Sequence, residues 1–196
     1  MRAPKSQGPS TGRLVLVPAL LTLSLTLLRL TSDLLRWSAI GPYEIAWLAP
    51  VFGAYFALSL SKDGVAAPGS RRLLRRTLLP LGIFAAGLVF FHPTSGGMGV
   101  ASLAAILLVS RTWRRLGTVL LAYALAARVP VALIQLAATW GGWDTVFDVS
   151  PYSALAGLLP QMTVWLGFTV VSGTSSGAAA MALRARLSDE TAQATG

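Results

Sequence analysis

Six apolar runs, most of them closed off by arginine, constrain this chain more than any other feature. They are "LVLVPALLTLSLTLL" at 14–28, "IAWLAPVFGAYFALSL" at 45–60, "TLLPLGIFAAGLVFF" at 77–91, "GVASLAAILLVS" at 99–110, and longer stretches over 116–140 and 153–183. A helix needs about 20 apolar residues to cross the roughly 30 Å hydrocarbon layer of a bilayer. The shorter third and fourth runs gain length from flanks such as "LLRR", whose arginines snorkel. Only 12% of residues are charged and mean hydropathy is +0.65, against about 25% charged in soluble domains. The expected fold is therefore all-α: a polytopic integral membrane protein of six transmembrane helices, about 14–36, 42–61, 74–91, 98–112, 114–140 and 151–184. They form one membrane domain, 13–186, between tails 1–12 and 187–196.

The cations give direction. If the crossings alternate, thirteen of the sixteen Lys and Arg residues fall on one side: at the amino terminus, in the 2–3 connection (Lys62, Arg71, Arg72, Arg75, Arg76), in the 4–5 connection (Arg111, Arg114, Arg115) and in the tail (Arg184, Arg186). By the positive-inside rule that side is the cytoplasm. The opposite connections carry Asp33, Glu44, Asp144 and Asp148. Both termini are thus expected inside, in the cytoplasmic (inner) cell membrane. A basic leader precedes the first run, but no small-x-small cleavage site follows, so an uncleaved first helix is expected. Helices three and four join through "HPTSGG" at 92–97, and a re-entrant hairpin there would return the chain to the same side. Trp37, Tyr43, Trp47, Trp140, Trp143 and Tyr152 fall near the outer ends, where amphipathic rings prefer the headgroup region; Trp113 marks the inner boundary.

The formal charge of +9 would suit nucleic acid, but nearly all the basic residues sit where topology places them, so no nucleic-acid partner is expected. The bilayer is the first partner. Cysteine is absent and histidine occurs once, as His92. That removes disulfides, thiolate nucleophiles and multi-histidine metal sites, and no cofactor is expected.

One cation resists the topological explanation. Arg128 lies near the middle of the fifth helix, where an unpaired charge costs about 2.5–3.5 kcal/mol on insertion scales. Arginine stays protonated, so it must face protein or water. Gly117, Ala124, Ala132, Gln135 and Thr139 share its face, small or polar residues of the kind that line helix contacts in membranes. Pro130 deprives the Ala126 carbonyl of its helical donor, predicting a kink and a polar group for the guanidinium to meet. Glu44 is the freer acid, since Asp33 sits between Arg29 and Arg36 at helical spacing. Glu44 also suits a helix start after Pro42.

The sixth segment overshoots the hydrocarbon layer, so a break or strong tilt is expected at Pro160, and Gln161 after it needs a partner. "GTSSG", 173–177, has the GxxxG spacing of close helix packing, or of a locally unwound binding site. An intramembrane serine hydrolase is not supported. The "TSSG" at 174–177 lacks the first glycine of such a motif, and His92 belongs at the opposite boundary from Ser176. General acid–base chemistry lacks paired carboxylates.

"WLAPVFGAYFALSL" resembles the aromatic–proline–"FG" pattern of the tryptophan-rich sensory protein family, which binds tetrapyrroles and cholesterol; the resemblance covers one segment, and that family has five helices. In length, helix number and inside termini the chain is similar to the substrate-binding subunits of energy-coupling-factor vitamin transporters, whose small-residue motif on the first helix is not evident here. Two functions follow. One is a non-enzymatic subunit that binds or transports a small molecule, an anion by the chemistry of Arg128, at Arg128, Gln135, Gln161 and Glu44. The other is a non-catalytic accessory or scaffold subunit that docks partner membrane subunits.

Overall fold

Every regular element among the described residues is a helix. The computed structural model describes residues 10–37, 43–65, 68–92, 96–145, 147 and 158–194, without the side chains of residues 43, 44, 70, 71 and 194. The helices are α1 (Thr11–Leu34), α2 (Tyr43–Ala46), α3 (Leu48–Lys62), α4 (Ser70–Phe90), α5 (Gly96–Thr112) and α6 (Arg114–Gly141). A π-helical turn, Gln161–Trp165, then runs into α7 (Leu166–Ala194). Four helical stretches are long and apolar enough to cross a membrane: Thr11–Leu34, Arg72–Phe90, Arg114–Gly141 and Leu158–Gln193. The chain is a helical protein of membrane type.

Two differences from the sequence reading have local causes. The segment expected at 42–61 is divided at Trp47. Pro50 has no N–H to give the Ala46 carbonyl, so α2 ends there; α3 restarts with the Val51 amide on the Trp47 carbonyl at 3.3 Å. The final helix continues ten residues past 184, over the polar "ARLSDETAQA". There Ser188 and Thr191 donate to the carbonyls four residues back. Trp113 is buried in the one-residue joint between α5 and α6.

Prolines 18, 80 and 130 lie inside α1, α4 and α6 without ending them. The close of α6 is made by glycine: Gly142 adopts φ +60, and the amides of Gly142 and Trp143 both reach the Ala138 carbonyl. That left-handed step suits a residue without a Cβ.

Helix α7 is central, packing against α3, α4, α5 and α6, while α1 leans chiefly on α6. The α3–α7 seam is the tightest. A Cβ on Gly53 would fall on the backbone of Gly173, and one on Gly177 would meet Ala57 Cβ at 2.9 Å and the Gly53 carbonyl at 3.0 Å. Ser176 Oγ donates across the seam to the Pro50 carbonyl at 2.6 Å. The "GTSSG" segment is therefore continuous helix used for close approach, as small residues permit where lipid supplies no hydrophobic drive. Around the seam Phe52, Phe56 and Tyr123 form an aromatic cluster with centroids 5.3–6.3 Å apart. Four buried threonine hydroxyls are satisfied locally: Thr22, Thr26, Thr169 and Thr174 each donate to the carbonyl four residues earlier.

Candidate functional site

The face of α6 that carries Arg128 is turned inward, as its residues imply. Gly117, Ala124 and Ala132 on it are buried, and beyond them Arg128 and Gln135, two turns apart, border a cavity of about 190 Å³. Other elements close it. α1 brings Thr26 and Arg29, α2 brings Ile45, and the segment after α6 brings Phe147. The π-helical turn contributes its first and last residues, Gln161 and Trp165. The chain does not break at Pro160: it stays helical from Leu158 through this turn, with Pro160 as the turn's cap residue. Single π-turns within helices frequently mark functional sites.

Each arginine in the cavity lies over an aromatic ring. The Arg128 guanidinium stands 4.7 Å from the Trp165 ring centroid and that of Arg29 stands 5.5 Å from Phe147. A ring quadrupole attracts a cation, by about 2 kcal/mol or more when the pair is desolvated. The aromatic occupies the flat face of the guanidinium and leaves the N–H edge for other partners.

Among the described residues those edges are not used up. Nε of Arg128 and Nε of Arg29 are buried without a hydrogen-bond partner, as are Oε1 of Gln135 and Oε1 of Gln161. Among the described residues no carboxylate borders the cavity, and the sole ion pair is Arg36 with Asp144, at 3.6 Å and highly exposed. Among the described residues it is the Trp165 ring that lies against the Arg128 guanidinium; the side chain of Glu44, the freer acid in the sequence, lies outside them. Asp33 also differs from expectation. α1 stops at Leu34, and Arg36, with φ +57, turns toward Asp144, while Arg29 turns to Phe147. Asp33 Oδ2 is left buried without a hydrogen-bond partner.

Of the four residues singled out in the sequence, Arg128, Gln135 and Gln161 converge on one space. The backbone of Glu44 lies in α2, and its side chain is outside the described residues. Arg29, Thr26, Phe147 and Trp165 were not anticipated. A signal for two of them existed: Thr22, Thr26 and Arg29 follow at helical spacing and make a polar stripe along α1. Tyr152, in the aromatic belt, falls outside the described residues. Exposed Trp37, Trp47, Trp140 and Trp143 fit that belt.

No known family model matches this chain, and comparison with curated proteins and solved structures found no match.

Proposed function

We propose that this protein is a non-enzymatic membrane subunit that binds, and hands across or into the bilayer, a small anion. One observation carries the reading: two arginines, each held on its flat face by an aromatic ring, border the same cavity with no carboxylate beside them among the described residues. Two guanidiniums sharing a low-dielectric space repel one another. An incoming anion removes that cost and meets donor edges already fixed in place. Gln135 and Gln161 offer acceptors, so hydroxyl or N–H groups on the same ligand would be recognised too. At about 190 Å³ the space is below the roughly 300–1,000 Å³ usual for drug-sized ligands, which favours a compact carboxylate or phosphate.

The topology that best suits the charges is six crossings with both termini in the cytoplasm, in the cell membrane. In that arrangement the cavity lies in the outer half of the bilayer, among the ends of α1, α6 and the final helix.

The test uses the purified full chain in nanodiscs. Inorganic phosphate, acetate and succinate are titrated at constant ionic strength with chloride as reference, following thermal stability and tryptophan fluorescence. At least one of these anions should stabilise the wild type. Arg128→Leu should fold in comparable yield and lose the response. If no anion acts beyond chloride, or if the leucine variant is recovered only in traces, the arginine is a packing device and the scaffold reading gains.

A further inference from the structure

Between Asp63 and Asp144 the chain carries eight arginines and no acidic residue. Charge in this half of the molecule must be neutralised from outside its own segment. Three of those arginines surround one cleft. Arg75 and Arg76 come from the start of α4 and Arg111 from the end of α5, around a space of about 390 Å³ that is separate from the Arg128 cavity. Among the described residues none of the three has a carboxylate within ion-pair distance.

The helix start adds to the field. The first turn of α4 contains no acid, and Gly69 before it supplies no side-chain hydrogen bond to the free amides. Those amides form the positive end of the helix dipole, one turn before Arg75 and Arg76.

The walls identify the kind of anion. Leu79 lies one turn beyond Arg75 on the same face of α4, and Leu108 one turn inward from Arg111 on α5. The two helices pack as a hairpin, so the arginines stand at one level and the leucines, with Pro80, about 5 Å deeper. Leu79 is 60% exposed, so this apolar floor opens sideways to lipid. A free inorganic anion would have no use for it.

We infer that the cleft between α4 and α5 is a binding site for an anionic phospholipid, its headgroup phosphate held by Arg75, Arg76 and Arg111 and its first acyl carbons lying on Leu79, Pro80 and Leu108. Basic pockets between membrane helices recognise such headgroups. The site does not depend on the function assigned to the Arg128 cavity.

The experiment compares two doubly substituted proteins that lose equal charge. Arg75→Gln/Arg111→Gln alters the cleft. Arg184→Gln/Arg186→Gln removes two exposed arginines from α7 elsewhere on the basic side. Retained lipid is counted by native mass spectrometry after transfer from nanodiscs of phosphatidylcholine with phosphatidylglycerol. The cleft variant should lose anionic lipid by at least about tenfold more than the control, a difference of about 1.4 kcal/mol. Equal loss in both variants would reduce the effect to general surface attraction and overturn the site. A wild-type measurement guards against misfolding of the variant: phosphatidylglycerol bearing a headgroup photocrosslinker should label peptides of α4 and α5. Labelling concentrated elsewhere overturns the inference. So does displacement of the lipid by millimolar inorganic phosphate, which would identify a free-anion site instead.

Discussion

Replacing Tyr123 with phenylalanine deletes one oxygen and leaves the ring packed edge-on against Phe52 and Phe56. The hydroxyl meets Thr22 Oγ1 at 2.8 Å across the α1–α6 contact. Thr22 has one proton to give, and it lies 2.9 Å from the Pro18 carbonyl, so Tyr123 is the donor of the pair. That assignment makes the two deletions unequal. Tyr123→Phe removes a donor and leaves Thr22 bonded to Pro18, at a cost of about 0.6 and at most about 1.7 kcal/mol, the span measured for interhelical hydrogen bonds in membranes. Thr22→Val strands a buried phenol O–H, at a cost of about 1–3 kcal/mol. In the double variant no donor is stranded, so its cost should not exceed that of Thr22→Val alone. The assay is reversible unfolding in mixed micelles followed by far-ultraviolet circular dichroism, with the double-mutant cycle closed. Strict additivity of the two single effects, or a larger cost for Tyr123→Phe, would refute the donor assignment.

Gly53→Ala should lower the yield of folded protein sharply, by at least the 1–3 kcal/mol of an overpacked core, because its Cβ meets backbone. Gly82→Ala, with nothing within 4 Å of the added methyl, should be neutral or stabilising by up to about 1 kcal/mol; the same unfolding titration reads both. Trp165→Phe should keep the anion response of the Arg128 cavity, and Trp165→Leu, which removes the ring beneath the guanidinium, should weaken it several-fold in the nanodisc titration. Single cysteines at Thr112 and Ala192 should react with an impermeant maleimide only from the cytoplasm, and one at Gly142 only from outside; labelling of Thr112 and Gly142 from one face would contradict the alternation of crossings.

Helix positions were legible because apolar length and arginine boundaries are strong signals. The reading of 114–140 differs from α6 by one residue at the end, and 98–112 differs from α5 by two at the start. The division of the second segment was harder, although Pro50 is visible, because proline in a first turn and proline in mid-helix look alike in sequence. For the site, Arg128 and Gln135 share a face by simple periodicity and Gln161 stands out as a polar residue in an apolar run. Trp165 was hidden because a π-turn shifts the spacing by which faces are counted. Arg29 was hidden by a neighbouring acid at ion-pair spacing, which the left-handed turn at Arg36 and the ring of Phe147 left without either arginine.

That π-turn has a mechanical meaning. One residue of an α-helix corresponds to about 100° of rotation, so the wider turn at Gln161–Trp165 sets the angular phase between two halves of the final helix. The half below presents Gly173 and Gly177 to α3, and the turn itself presents Gln161 and Trp165 to the cavity. Deleting one residue inside the turn would let it relax to ordinary α-helix and swing everything before it by about that angle, while the glycine seam stayed in register. A conversion between π and α at this point would rotate the cavity wall and its contacts with α5 and α6, while leaving the glycine seam against α3 in place.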